Sequence, residues 1–148
     1  MAGPIVIADP ATVELRPSPI FPEWIIEGTP EANSRELARS ADGTSTILAW
    51  SCTAGRFDWY YDVDETIHII EGEVFITNDK GEERRLGPGD MVFFPAGAHS
   101  RWRVPVFVRK LAICRHSMPW PMGFALRAYK KATQILLGKA GGALEPAA

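Results

Sequence analysis

Few residues of this chain are suited to holding a transition metal. Of 148 residues, three are histidine (His68, His99 and His116) and two are cysteine (Cys52 and Cys114), whereas such ions are held largely by imidazole and thiolate. The two cysteines have no metal-ligand spacing and make no disulfide framework. They read as reduced thiols, and the expected location is cytoplasmic. The amino-terminal run MAGPIVIADPATV has neither the basic start nor the long apolar core of a secretory signal. No stretch approaches the ~18 apolar residues that a membrane-spanning helix needs. Acid is almost missing from the last third. Residues 101–148 hold nine Lys and Arg against a single Glu145, a net of +8, while residues 1–100 hold seven basic and 17 acidic residues, a net of −10. Such a split can mark an anionic partner. The expectation is instead that late strands lie beside early ones and the charges offset within one fold. No nucleic-acid reading motif is visible, so nucleic acid is not an expected partner.

Turn residues and aromatic rings are plentiful: 13 Gly, 12 Pro, five Trp, seven Phe and three Tyr. Four short apolar runs, Glu65–Ile70, Glu73–Thr77, Glu82–Leu86 and Met91–Phe94, are each followed by a turn cluster: Glu71-Gly72, Asn78 to Gly81, Gly87 to Asp90, and Pro95 to Gly97. Strands this short, this evenly spaced and with Gly at the corners predict an all-β sandwich or barrel. Upstream, Asp42-Gly43 predicts a hairpin between 34–39 and 44–53. Ala54-Gly55 is expected to end that strand before a new one at Arg56–Tyr61. Pro105 interrupts the chain after Trp102, and Phe107–Cys114 supplies the last strand. Ile67–Ile70 and Met91–Phe94 are apolar on both faces, since successive side chains point to opposite sides. One face looks inward; the other needs a second sheet, the arm or a partner to cover it, and a homodimer is the expected partner.

Three segments follow. Residues 1–33 are an extended arm, because Pro4, Pro10, Pro17, Pro19, Pro22 and Pro30 forbid a long helix; a short strand near Trp24–Glu27 is expected within it. Residues 34–115 form the barrel. Residues 116–148 are a linker, an amphipathic helix over Phe124–Leu137 and a tail. At about 100° per residue, Arg127, Lys130, Lys131 and Gln134 share one narrow face of that helix. Its wide apolar remainder is expected to dock on the barrel or on a dimer mate, with contact to a membrane surface the lesser reading.

The segment Gly89-x5-Pro95-x-Gly97, preceded by a Glu-x5-Glu-Gly strand and turn, resembles the two sequence motifs of the cupin superfamily. The wording RFDWYY, DETIHIIEGEV, GPGDMVFFPAG and SRWRV is similar to the type-3 cupins, the group named after ureidoglycine aminohydrolase, across roughly residues 20 to 115. The resemblance implies a double-stranded β-helix, that is, a jelly-roll barrel. It does not imply one function, because this fold carries many chemistries.

Metal-bearing cupins bind through a His-x-His pair, a Glu four or five residues later and a third His after the Pro-x-Gly turn. Carried onto this sequence, those places fall at Trp59, Tyr61, Glu65 and Ser100, so the frame is kept and most ligands are gone. His99 and His68 have the opposite strand parity and can join Glu65 only through bulges. The resemblance thus implies a cup lined by Phe57, Trp59, Tyr61, Ser100 and Trp102 around Glu65. Glu65, desolvated among the rings, is expected to have a raised pKa and, with Tyr61, to be the candidate acid–base pair; hydrogen bonds from Tyr61 and Trp102 to Glu65 are the structural alternative. The function so implied is small-molecule binding without a cofactor, with acid–base chemistry on a small polar or nitrogenous metabolite. The alternatives are a divalent-metal enzyme of the ureidoglycine aminohydrolase type, using Glu65, His99 and His68, and a non-enzymatic protein docking through its basic helix.

Overall fold

The computed structural model describes residues 3–138, so the predicted tail lies outside the described residues from 139 onward. The chain divides into two units, one ending at Ser117 and one beginning at Met118. In order, the first contains β1 (Arg16–Pro17), a 3-10 turn (Pro22–Trp24), β2 (Ile25–Glu27), β3 (Ala32–Arg39), β4 (Ser45–Tyr60), β5 (Asp64–Gly72), β6 (Val74–Thr77), β7 (Glu83–Leu86), β8 (Met91–Phe94) and β9 (His99–Arg115). The second contains α1 (Trp120–Leu137).

All the strand pairings are antiparallel. The long strands β4 and β9 pair along their whole length and serve two branches of one nine-stranded sheet. Their Ser45–Thr53 and Phe107–Arg115 halves lie in the order β1-β3-β4-β9-β5-β8, while their other halves carry β2 on β4 and β6-β7 on β9. The expected break at Ala54-Gly55 is therefore not a strand end. It is the point at which the partner of β4 changes from β3 to β2. The register shifts there between Thr53 and Gly55, leaving Pro105 and Val106 of β9 opposite Ala54. Proline donates no hydrogen bond to a ladder, and a bulge is where a sheet tolerates it. Pro105 thus bends β9 without interrupting it.

The inner faces follow strand parity. Trp50, Phe57, Ile67, Ile69, Trp102 and Val108 are at most 5% exposed. Burying side chains of this size stabilises the fold by about 1.5–3 kcal/mol each. The arm is tied to the barrel by the β1–β3 and β2–β4 pairings and, nearer its start, by Arg109, which donates from Nε to the Pro10 carbonyl at 2.9 Å and from Nη2 to the Val13 carbonyl at 2.7 Å. The separated charges do meet. Arg101 pairs with Asp58, Arg103 with Glu83, Lys110 with Glu65 and Arg115 with Asp64, each joining a late cation to an early acid as the sequence suggests. The helix of the second unit begins four residues before the predicted Phe124. Pro121 falls in its first turn, where the missing N–H has no helical partner to lose.

Candidate functional site

Inward positions of β4, β5 and β9 converge, with Tyr61 from just beyond β4. Phe57 and Trp102 lie opposite each other in register and stack with centroids 5.9 Å apart. Tyr61 follows the end of β4 and stacks on Phe94 at 4.3 Å. Its phenol is 2.8 Å from Ser100 Oγ, and Trp102 Nε1 donates to both oxygens at 3.1 and 3.0 Å. Trp59 is half-buried, in edge contact with Phe57 and with Trp24 from the arm. The six sequence-predicted residues, Phe57, Trp59, Tyr61, Glu65, Ser100 and Trp102, therefore all face inward.

The bonding around Glu65 differs from the alternative read in the sequence. Its carboxylate accepts nothing from Tyr61 or Trp102, which bond to each other and to Ser100. Its partners are Lys110, with Nζ 3.1 Å from Oε2, and Cys114, with Sγ 3.5 Å from Oε1. Lys110 is 3% and Glu65 8% exposed. The ammonium also lies 4.7 Å from the ring centroids of Trp50 and of Trp102, a cation held between two indole faces. Register explains the reach. Glu65 lies opposite Cys114, and Lys110 is on the same inward face of β9 with Ala112 between them. The small Ala112 leaves room for the lysine chain to pass along the strand.

Lys110, Trp50, Phe94 and Cys114 complete the cup, and the sequence reading missed all four as site residues. The available signal was parity: Val108, Lys110, Ala112 and Cys114 alternate, which puts the lysine on an apolar inward row. Burial pushes the Cys52 thiol up to about 12. It also pushes Cys114 up to about 12, with the negative charge of Glu65 adding to the effect. Burial raises Tyr61 as well, against the hydrogen bonds from Ser100 and Trp102. All three stay protonated near neutrality.

His68 and His99 both turn outward and are exposed. His99 Nε2 sits 3.1 Å from Asp58 Oδ1, and its ring stacks on Tyr60 at 4.7 Å. Neither joins Glu65. No cluster of three His, Cys, Asp or Glu able to hold a metal occurs among the described residues. The donor set is also poor for a divalent cation: the cup offers one carboxylate already paired with an ammonium, one hydroxyl, one phenol and the protonated thiol of Cys114. Two surface depressions, one bounded by Arg84, Arg85, Leu86, Asp90 and Met91 and the other by Glu71, Gly72, Glu73, Arg85, Val106 and Phe107, share no residue with the cup.

Comparison with known proteins adds a family. Residues 39–112 match the model of the EutQ-like cupin domain. No curated protein matches the sequence. Among solved structures, a Pseudomonas syringae protein of unknown function is 28% identical with a TM-score of 0.65, the match covering 72% of this chain and 46% of that one. This chain therefore spans about half of that relative. The EutQ protein of Clostridium difficile is 20% identical over 60% of this chain and 70% of its own, with a TM-score of 0.53. The polyketide cyclase RemF of Streptomyces resistomycificus is 20% identical over 60% of this chain and 67% of its own, with a TM-score of 0.50. At those identities the last two speak for the fold alone.

Proposed function

The chain belongs to the EutQ-like cupin domain family, and on that premise we propose that it is a small-molecule-binding cupin whose cup works without a three-His metal centre. One observation carries the reading: a buried Lys110–Glu65 pair whose ammonium lies between the indoles of Trp50 and Trp102. A buried ion pair is a poor way to stabilise a core, because desolvation offsets most of the attraction and apolar residues of equal volume do as well or better. A charged donor beside a charged acceptor, in a cup otherwise made of rings, is suited to acid–base chemistry on a small polar or nitrogenous metabolite. Glu65 is the proton acceptor in this reading, and Tyr61, protonated and bonded to Ser100, is the neutral donor. The half-buried Trp59 is the side chain that moves to admit a ligand. The working unit is a homodimer. The metal-dependent alternative finds no support in the donor set.

Indole fluorescence tests this reading. The probes are a panel of small amines, amides and ureido acids titrated into untagged protein. The wild type is expected to respond to members of the panel. The double variant Glu65→Leu/Lys110→Met, which removes both charges together, is expected to fold and not to respond. Unchanged affinity in the double variant, or silence of the wild type across the panel, removes the reading. So does stoichiometric manganese, iron, nickel or zinc that is lost in Glu65→Gln.

A further inference from the structure

The second unit poses a separate question. Among the described residues α1 is its only element. The helix is firmly delimited: Pro119 precedes it, and Gly138, at φ 61°, ends it with an N–H aimed at the carbonyls of Gln134 and Ile135. Projected at about 100° per residue, Arg127, Lys130, Lys131 and Gln134 fall within an arc of roughly 100°. The opposite arc, roughly twice as wide, carries Phe124, Leu126, Tyr129, Ile135, Leu136 and Leu137. Every charge on the helix is positive, and no Asp or Glu occurs anywhere between Asp90 and Glu145.

Two features select the partner. The apolar arc is wider than the stripe with which a helix packs on one protein surface. The polar arc has cations only, and so complements a continuous anionic surface, not a mosaic of both signs. Nucleic acid would satisfy the cations and leave the apolar arc in water. A second copy of the helix would cover only part of so wide an apolar arc and would leave the cations, which face away from it, without a counter-charge. A lipid surface satisfies both arcs at once: apolar side chains enter the acyl boundary and lysine and arginine reach the phosphates. The remaining ring in the cationic arc, Trp120, has an indole suited to the headgroup level. No described helix is long and apolar enough to cross a membrane, so this one would lie on it. We propose that α1 is an interfacial helix that holds this cupin on an anionic membrane surface.

The test is co-sedimentation of the full chain with vesicles. One set is equal parts phosphatidylglycerol and phosphatidylcholine; the other is phosphatidylcholine alone. Binding to the anionic set at low salt is expected, weakening as salt rises. Each cation near an anionic surface contributes roughly a fivefold gain in affinity, so Lys130→Gln/Lys131→Gln is expected to bind roughly 30-fold more weakly. Leu136→Glu is expected to abolish binding while leaving the elution volume in gel filtration unchanged. No sedimentation with anionic vesicles overturns the proposal, as does equal binding to both sets. A Leu136→Glu variant that changes oligomeric state assigns the face to a second copy and overturns it too.

Discussion

Lys110 keeps its ammonium in a place that water scarcely reaches, and two groups make this tolerable: the Glu65 carboxylate at 3.1 Å and the two flanking indole faces. Removing the lysine leaves a carboxylate buried without its counter-charge. Lys110→Met is therefore expected to lose about 3 to 5 kcal/mol in urea unfolding, whereas Glu65→Leu/Lys110→Met is expected to stay within about 1 kcal/mol of the wild type. Equal losses in the two variants would mean that the pair is not coupled. The thiols give a second outcome at this scale. Cys52 and Cys114 ionise only near 12 in the fold, against an ordinary 9.0. Between those values the unfolded chain has released protons that the folded chain still holds. The stability these thiols protect is complete below about 9 and falls as pH rises from there through about 12. Cys52→Ala/Cys114→Ala is expected to show a shallower alkaline loss of stability, followed by circular dichroism. The candidate site was legible only in part, for a reason that belongs to these residues. The inward rings and Glu65 follow from strand parity, which any regular strand obeys. The partner of Glu65 does not, because Lys110 lies four residues along β9 from the position opposite Glu65. Its side chain closes that gap by its own length, and alternation carries no information about that.

At the scale of elements, the long strands show where local signals fail. Ala54-Gly55 and Pro105 each look like strand ends when read separately. Facing each other, they form one bulge at which β4 and β9 both change partners. The break is therefore a property of the pair, and neither segment states it alone. The four runs from Glu65 to Phe94 were legible because each is bounded by its own turn. One of those turns is also a packing device. Gly72 has φ 77°, and a Cβ there would overlap the Phe107 carbonyl oxygen, a backbone atom that cannot step aside. That close approach lets the end of β5 cross β9 before β6 begins. Gly72→Ala combines left-handed strain with this overlap and is expected to lose about 3 kcal/mol, measured by urea unfolding. A loss of only about 1–2 kcal/mol, the ordinary cost of a side chain in left-handed backbone, would show that β9 shifts to make room.

For the whole molecule, the uneven charge and the uncovered apolar side chains point different ways. The charge of the barrel is in part an internal matter, since four cations of β9 meet acids of β4, β5 and β7. The apolar side chains are not internal. Met91 and Phe93 of β8 are 63% and 54% exposed, and Ile113 of β9 is 40% exposed. Phe93, Thr66 and Ile113 lie in one cross-strand row, and Met91, His68 and Leu111 in the next, so they form one patch on the outer face of the sheet. A patch of this kind is where monomers associate. In a two-fold interface each side chain meets the same surface of its mate, so one substitution counts twice. Phe93→Glu would place two carboxylates in the joint and leave the barrel interior untouched. In light scattering coupled to gel filtration, the wild type is expected to run as a dimer and Phe93→Glu as a monomer with an unchanged circular dichroism spectrum. A monomeric wild type at tens of micromolar would leave the second face of β8 without a protein partner. A dimer that survives Phe93→Glu would move the interface elsewhere.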